Sequence, residues 1–272
     1  MALDIKVEAA KLREMYAASP KLNKFHGLII GEKGAGKTSL ISTFPAPILV
    51  HSFDPSGSIV LKDAIKTGRV IVDARYEQDD LYHPTAYLKW EDEFNRLGSG
   101  GFFDSLGTYV LDSTTTFANS VIWQIMKKEG RIPASMRAQT DDKKQGMRIQ
   151  DWGTVLNLLI MLSRQLSNLP CHTVMLGHIS KEKDEVTQEF VNLIALPGKA
   201  QTQVPVNLPE LLVLRAKEAA GKIERTLLTQ DSGAYRAVSR MAAGGKLLPV
   251  EPSDLKAILK KVGYDFEDKE LI

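Results

Sequence analysis

The chain predicts an α/β fold: a mostly parallel central sheet flanked by helices, with an antiparallel extension towards the C-terminus. Three observations carry this expectation. Short apolar runs alternate with segments of three- and four-residue apolar spacing from residue 25 to residue 177, the pattern of strands joined by helical crossovers. From Glu189 to Arg240 the pattern turns strand-like, with turn signals at Leu196 to Gly198, Ala219 to Gly221 and Asp231 to Gly233. The first apolar run, Phe25 to Ile30, ends in Gly31-x-x-x-x-Gly36-Lys37-Thr38, after which an apolar helical pattern begins.

Residues 4–17 read as a short amphipathic helix that Ser19-Pro20 ends. The strand before the glycine-rich loop follows, then a second from Pro47 to Asp54, closed by the turn Asp54-Pro55-Ser56-Gly57. Arg69 to Ala74 reads as a third strand. Tyr87, Trp90, Phe94 and Leu97 mark one face of a helix with Pro84 in its first turn, where a missing N–H costs nothing. Gly98 to Gly101 break that pattern before the strand Thr108 to Ser113. A helix at about 115–128, a polar loop to about 147 and a long helix marked by Trp152, Val155, Leu159, Leu162 and Leu166 follow. Trp152 falls on the apolar face and is expected in the core. Cys171 to Gly177 make a buried strand, and Pro252 precedes a last helix at about 253–262. The acidic end, Asp265 to Glu270, reads as a solvated terminus. The division is an N-terminal helical segment (1–22), a core (23–245) and a C-terminal helix with its tail (246–272).

The chain has 272 residues, 43% of them apolar and 25% charged, as in ordinary globular proteins. One cysteine, Cys171, excludes an intramolecular disulfide, and no segment has the apolar length of a membrane span. These features point to the cytosol (the host's, for a phage-encoded chain) and to no membrane partner. A net charge of +2 is too small to imply a nucleic-acid partner without a local concentration of charge.

The strand–loop–helix at 25–41 supplies what a phosphate-binding P-loop needs: glycines that let backbone N–H groups curl round a triphosphate. Gly31, Glu32, Lys33, Gly34, Ala35, Gly36, Lys37, Thr38 and Ser39 are the expected nucleotide contacts. Lys37 reaches the β- and γ-phosphates and Thr38 ligates Mg²⁺. A second Mg²⁺-shell group must sit at the end of a neighbouring apolar strand, and Asp112 does so. Hydrolysis also needs a carboxylate to orient or deprotonate water. Asp54 ends the second strand and is the first choice, with a turn-forming role before Pro55 as its alternative. Asp73 is the poorer option, being inside a strand. His178 ends the run Thr173 to Gly177, where a polar side chain faces the γ-phosphate from the sheet edge.

In this order, the P-loop, Asp54, Asp112-Ser113 and His178 resemble the arrangement in RecA-like ATPases. More closely, residues 24–240 resemble the small phage-encoded RecA-like ATPases that act as single-strand annealing proteins. The resemblance implies a RecA-like core, ATP and Mg²⁺ as cofactors, assembly of like subunits into rings or filaments, and single-stranded DNA as partner. A single-strand-binding protein is a further partner it leaves open. By the same comparison Asp54 stands where RecA itself has a glutamate as catalytic acid. His178 stands as the polar relay between γ-phosphate and DNA loop. A neighbouring subunit completes such sites with a cation, for which Arg225, Arg236 and Arg240 are the candidates. Related phage sequences tend to carry Lys-x-Arg where this chain has Val238-Ser239-Arg240.

Residues 127–148 concentrate positive charge: Lys127, Lys128, Arg131, Arg137, Lys143, Lys144 and Arg148 against three acids, +4 locally, so the rest of the chain sums to about −2. Lysine and arginine contacts to phosphate are the sequence-independent part of nucleic-acid affinity. A second candidate DNA segment follows His178 and contains Lys181, Lys183 and Lys199. Neither shows interleaved aromatics. A GTPase is disfavoured because no Asn-Lys-x-Asp motif follows Asp54-Pro-Ser-Gly57, and a small-molecule or nucleotide kinase because the C-terminal extension fits it poorly. A hexameric DNA motor, helicase, loader or packaging ATPase shares the same core and is the alternative function.

Overall fold

The computed structural model describes residues 4–19, 22–131, 146–183, 188–219 and 221–272. In chain order the elements are α1 (Ile5–Ala17), β1 (His26–Gly31), α2 (Lys37–Leu40), β2 (Ile48–Ser52), α3 (Lys62–Lys66), β3 (Val70–Asp73), α4 (Ala86–Ser99), α5 (Phe102–Ser105), β4 (Thr108–Asp112), α6 (Thr114–Lys128) and α7 (Ile149–Leu166). They continue as β5 (His172–Lys183), β6 (Phe190–Ile194), α8 (Ala200–Val206), β7 (Glu210–Ala219), β8 (Lys222–Leu228), β9 (Val238–Ser239), β10 (Val250–Pro252) and α9 (Leu255–Val262). Strands β3, β2, β4, β5, β1 and β7 lie side by side and parallel, and β8 and β10 extend the sheet antiparallel. The parallel sheet and its antiparallel C-terminal extension are both present. β6 folds back on the outer half of β5, and β9 pairs with the start of β7.

All six residues of β1 are buried, because helices cover both faces of a parallel sheet. Alternation along the strand sends Leu28 and Ile30 into one core, with Trp90, Phe94, Phe117, Leu159 and Leu162. Ile29 goes into the other, with Leu40, Phe44, Leu212 and Leu259. Each such side chain contributes about 1.5–3 kcal/mol by leaving water. Across the first core Trp90 Nε1 donates to the Tyr109 hydroxyl (3.1 Å), whose own proton goes to His51 Nδ1 (3.0 Å). Burial pushes the His51 pKa down to about 4, keeping the ring neutral and able to accept.

Several expectations need correction. The helix after the P-loop is short: α2 passes into a 3-10 turn at Ile41–Thr43, where Ser42 and Thr43 hydroxyls donate back to the Ser39 and Leu40 carbonyls (2.8 Å each) and Pro45 and Pro47 follow. The 189–240 region is not all strand. It contains α8, with Pro205 inside it. Trp152 is 43% exposed. It continues the apolar face of α7 but lies a turn before the buried Val155, beyond the reach of the core.

The C-terminal segment packs into the main body. Leu255, Ile258 and Leu259 belong to the Ile29 core. The acidic end is not simply solvated. Asp265 pairs with Lys24 (2.5 Å), while Asp268 pairs with Arg69 (2.6 Å) and accepts the Ala46 N–H (3.0 Å). The Lys269 N–H donates to the Ala46 carbonyl (2.8 Å). The tail thus meets cations at the amino ends of β1 and β3, and these contacts hold the Asp268 pKa at about 2 against the upward push of burial.

Candidate functional site

The site lies at the carboxyl ends of β1 and β4 and beside the middle of β5. Gly34 and Gly36 of the loop have φ of 82° and 96°, a left-handed backbone that glycine adopts without strain. A Cβ at Gly36 would also stand 2.6 Å from Arg225 Nε. Lys37 is buried and donates to the Gly31 and Glu32 carbonyls (2.9 and 3.1 Å), with His178 Nδ1 at 3.5 Å. Burial lowers its pKa, opposed by Asp112, Asp54 and Glu32.

Thr38 Oγ1 donates to Asp112 Oδ2 at 2.7 Å. The two oxygens stand on different elements but face one point, as a divalent cation needs. Among the described residues no cluster of three or more His, Cys, Asp or Glu could hold a metal. Thr38 and Asp112 therefore fit Mg²⁺ that draws its remaining ligands from phosphate and water. Burial pushes the Asp112 pKa up to about 6, although Thr38 and Lys37 oppose it. The strand of Asp112 is not adjacent to β1, because β5 lies between them. That insertion is what brings His178 into the site, level with Gly31.

Asp54 meets three donors. Its Oδ1 accepts the Ser113 hydroxyl (2.7 Å) and the Thr116 hydroxyl, and its Oδ2 lies 2.9 Å from His178 Nε2. An ammonium can only donate, so His178 Nδ1 accepts from Lys37 and the Nε2–H donates to Asp54. Burial raises the Asp54 pKa, but hydrogen bonds from His178, Thr116 and Ser113 outweigh it and hold the carboxyl at about 2. Asp54 is therefore an ionised anchor and a weak proton acceptor at neutral pH. Gly57 keeps its turn against the site: a Cβ there would lie 3.3 Å from Asp54 Cβ and 3.9 Å from Asp112 Oδ2. Asp73 is outside this constellation, bonded to Arg75 and Tyr76.

The structure thus brings Lys37, Thr38, Asp54, Asp112 and His178 together. Of the three arginines, Arg225 reaches the back of the P-loop, and Arg236 and Arg240 lie elsewhere. Arg225, on β8, donates its Nε–H to the Ala35 carbonyl (3.0 Å) of its own P-loop. Arg236 faces Asp231 at 3.4 Å on an exposed turn. Arg240 follows β9, which pairs with Glu210 and Leu211 at the opposite end of the sheet from the chain's own P-loop.

Of the basic candidates, Arg137, Lys143 and Lys144 lie outside the described residues. Lys127 and Lys128 are exposed at the end of α6, and Arg148 is exposed ahead of α7. Arg131 is a correction: its guanidinium is buried and paired with Asp151, so it presents no free charge to a phosphate. Lys181 and Lys183 lie exposed on the outer half of β5, and Lys199 is exposed ahead of α8. An aromatic does stand beside this segment, since Lys183 pairs across the hairpin with Phe190, which is 63% exposed.

Sequence reasoning missed Thr116, Glu77 and the far wall of the P-loop. The hydroxyl run Ser113 to Thr116 was a visible signal for the first. Glu77 accepts from the Ser52 and Ser58 hydroxyls and the Ser56 N–H (2.7, 3.1 and 2.9 Å), holding the turn of Asp54, and nothing in its local sequence marks it. A cleft of about 410 Å³ lies between Glu32–Ala35 and the end of β7, lined by Arg215, Lys217 and Tyr235. The Arg215 guanidinium lies 5.1 Å from the Tyr235 ring centroid.

No helix among the described residues is long and apolar enough to cross a membrane. A comparison with curated proteins gives no match. The model of a protein family described as AAA domain matches residues 23–241, a span that runs from just before β1 to just after β9 and holds every group of the site described above, and the chain belongs to that family of P-loop ATPases.

Proposed function

We propose that the chain is a RecA-like recombination ATPase. It binds ATP and Mg²⁺ at the P-loop, Thr38 and Asp112, assembles with copies of itself into a ring or filament, and holds single-stranded DNA for annealing or strand exchange. One observation carries this reading. His178 touches both Lys37 and Asp54, and its strand runs on into the hairpin bearing Lys181, Lys183 and the exposed Phe190. A γ-phosphate that draws Lys37 off its loop carbonyls disturbs the His178 contact, and the shift passes along β5. The lysines there meet phosphates, and Phe190 gives a base a stacking partner worth about 1–3 kcal/mol. Lys127, Lys128, Arg148 and Lys199, with the charges of Arg137, Lys143 and Lys144, add to the same field. Asp54, ionised and oriented by three donors, positions the attacking water. A basic residue of the neighbouring subunit, Arg236 or Arg240, completes the site from outside.

The test is DNA binding and ATP hydrolysis, each with and without the other ligand, at two salt concentrations. DNA binding should require nucleotide and weaken steeply with salt, and single-stranded DNA should speed hydrolysis. Hydrolysis indifferent to DNA, together with no ATP-dependent DNA binding, refutes the reading. Lys37→Ala should abolish nucleotide-dependent assembly.

A further inference from the structure

Arg225 sits over the P-loop of its own chain. Its Nε–H donates to the Ala35 carbonyl at 3.0 Å, and the guanidinium fills the space that a side chain at residue 36 would take. Among the described residues this is the polar contact the side chain makes, and Arg225 faces no carboxylate within ion-pair distance. Its charge is therefore delivered to the loop rather than neutralised. Arg225 pairs across the β7–β8 hairpin with Ala216, beside the Arg215 and Lys217 that line the cleft behind the loop. The hairpin is anchored in turn: Arg215 stacks on Tyr235, and Tyr235 bridges to Asn192 of β6.

We propose that Arg225 is a positioning residue acting in cis: it latches the Ala35–Gly36 segment and holds the P-loop in the form that receives triphosphate. The loop has two left-handed glycines, and Lys37 ties down the Gly31 and Glu32 carbonyls, which leaves the Ala35 carbonyl to Arg225. A charged donor bound to a loop carbonyl supplies that constraint and leaves the loop N–H groups for phosphate. The latch also closes a circuit. The P-loop touches His178 on β5 through Lys37, β6 joins β5 to Tyr235, and the β7–β8 hairpin returns to Ala35. Movement of the β5–β6 hairpin therefore reaches the loop from both ends.

This inference rests on nucleotide binding at the P-loop and is independent of DNA, so its test is run without DNA. Arg225→Ala should weaken binding of a fluorescent ATP analogue about tenfold, as loss of one charged-donor hydrogen bond gives. The kcat at saturating ATP should stay within about threefold. Arg225→Lys should not restore affinity, because its nitrogen lies one bond beyond the Arg Nε position. Mixing Arg225→Ala with Asp54→Asn protein, at ATP below half-saturation of the arginine variant, decides between cis and trans. A cis latch gains nothing from the mixture. A residue serving a neighbour's site regains turnover, because the Asp54→Asn subunit keeps its own P-loop, can still assemble, and presents its arginine to the Arg225→Ala site. Restored turnover, or unchanged nucleotide affinity in Arg225→Ala, overturns the proposal. Thermal melting without nucleotide, expected to match the parent for this exposed side chain, checks that the variant is folded.

Discussion

Replacing Asp54 by asparagine separates charge from shape at the centre of the site. The carboxylate accepts from Ser113, Thr116 and His178, and its pKa is about 2 against an ordinary 3.8. The side chain is 20% exposed, so solvent screens it little. The difference corresponds to about 2 kcal/mol of stability. Because the folded-state pKa is depressed, this contribution is present above the unfolded value of 3.8 and is lost as pH falls through about 2. An asparagine can turn its carbonyl to the His178 Nε2–H and its amide to the two hydroxyls, which rotate to accept. The fold should therefore survive, at a cost of up to about 2 kcal/mol by chemical denaturation at pH 7. Nucleotide affinity should stay within about threefold, because Asp54 touches neither the loop N–H groups nor Thr38. The kcat should fall at least tenfold, since the neutral amide no longer orients water by charge. A variant that binds nucleotide normally and turns over at the parent rate would show that the charge of Asp54 is not used in hydrolysis.

Asp112→Asn should raise the Mg²⁺ concentration needed for half-maximal hydrolysis by tenfold or more, read by metal titration at fixed ATP. The pair Lys183→Ala and Phe190→Ala should weaken single-stranded DNA binding in different ways. The lysine change should reduce the salt slope by about one, and the phenylalanine change should lower affinity at all salt concentrations. Glu210 is buried, with Oε1 on the Met241 N–H and a pKa pushed up to about 7 by burial. An acid whose folded pKa is raised loses stability as pH climbs from the unfolded 4.5 to about 7. Glu210→Gln should remove that decline and stabilise the protein at pH 8 by about 1–3 kcal/mol in urea melts; equal pH dependence in both proteins would count against it.

What was legible in the sequence had local causes. The P-loop is contiguous, so its glycines, lysine and threonine could be read together, and strand alternation placed the central sheet. The rest of the site depends on separations no window contains: His178 meets Asp54 across 124 residues, and Thr116 meets it across 62. Charge counting misread Arg131, because a formal charge does not say that Asp151 is folded against it. Periodicity assigned Trp152 to the right face of α7 but could not say where the core stops along it. The acidic tail was misread for the same reason as Arg131, since its partners Lys24 and Arg69 come from distant segments.

The arrangement around Asp54 bears on which of the two functional readings is favoured. A motor needs rapid, repeated hydrolysis, whereas an assembly protein needs mainly to register that nucleotide is bound. A carboxylate held by three donors, with its pKa lowered to about 2, is a poor proton acceptor. The same three bonds make it a firm stop against which His178 can register the position of Lys37, through a half-buried contact. The geometry thus sacrifices basicity for a defined contact between the phosphate site and β5. On the proposed reading, nucleotide binding does the work and hydrolysis resets it. A kcat without DNA well below one per second, with full ATP-dependent DNA binding by Asp54→Asn, is the expected result. Translocation along DNA sustained by fast turnover would reverse the order and favour the motor.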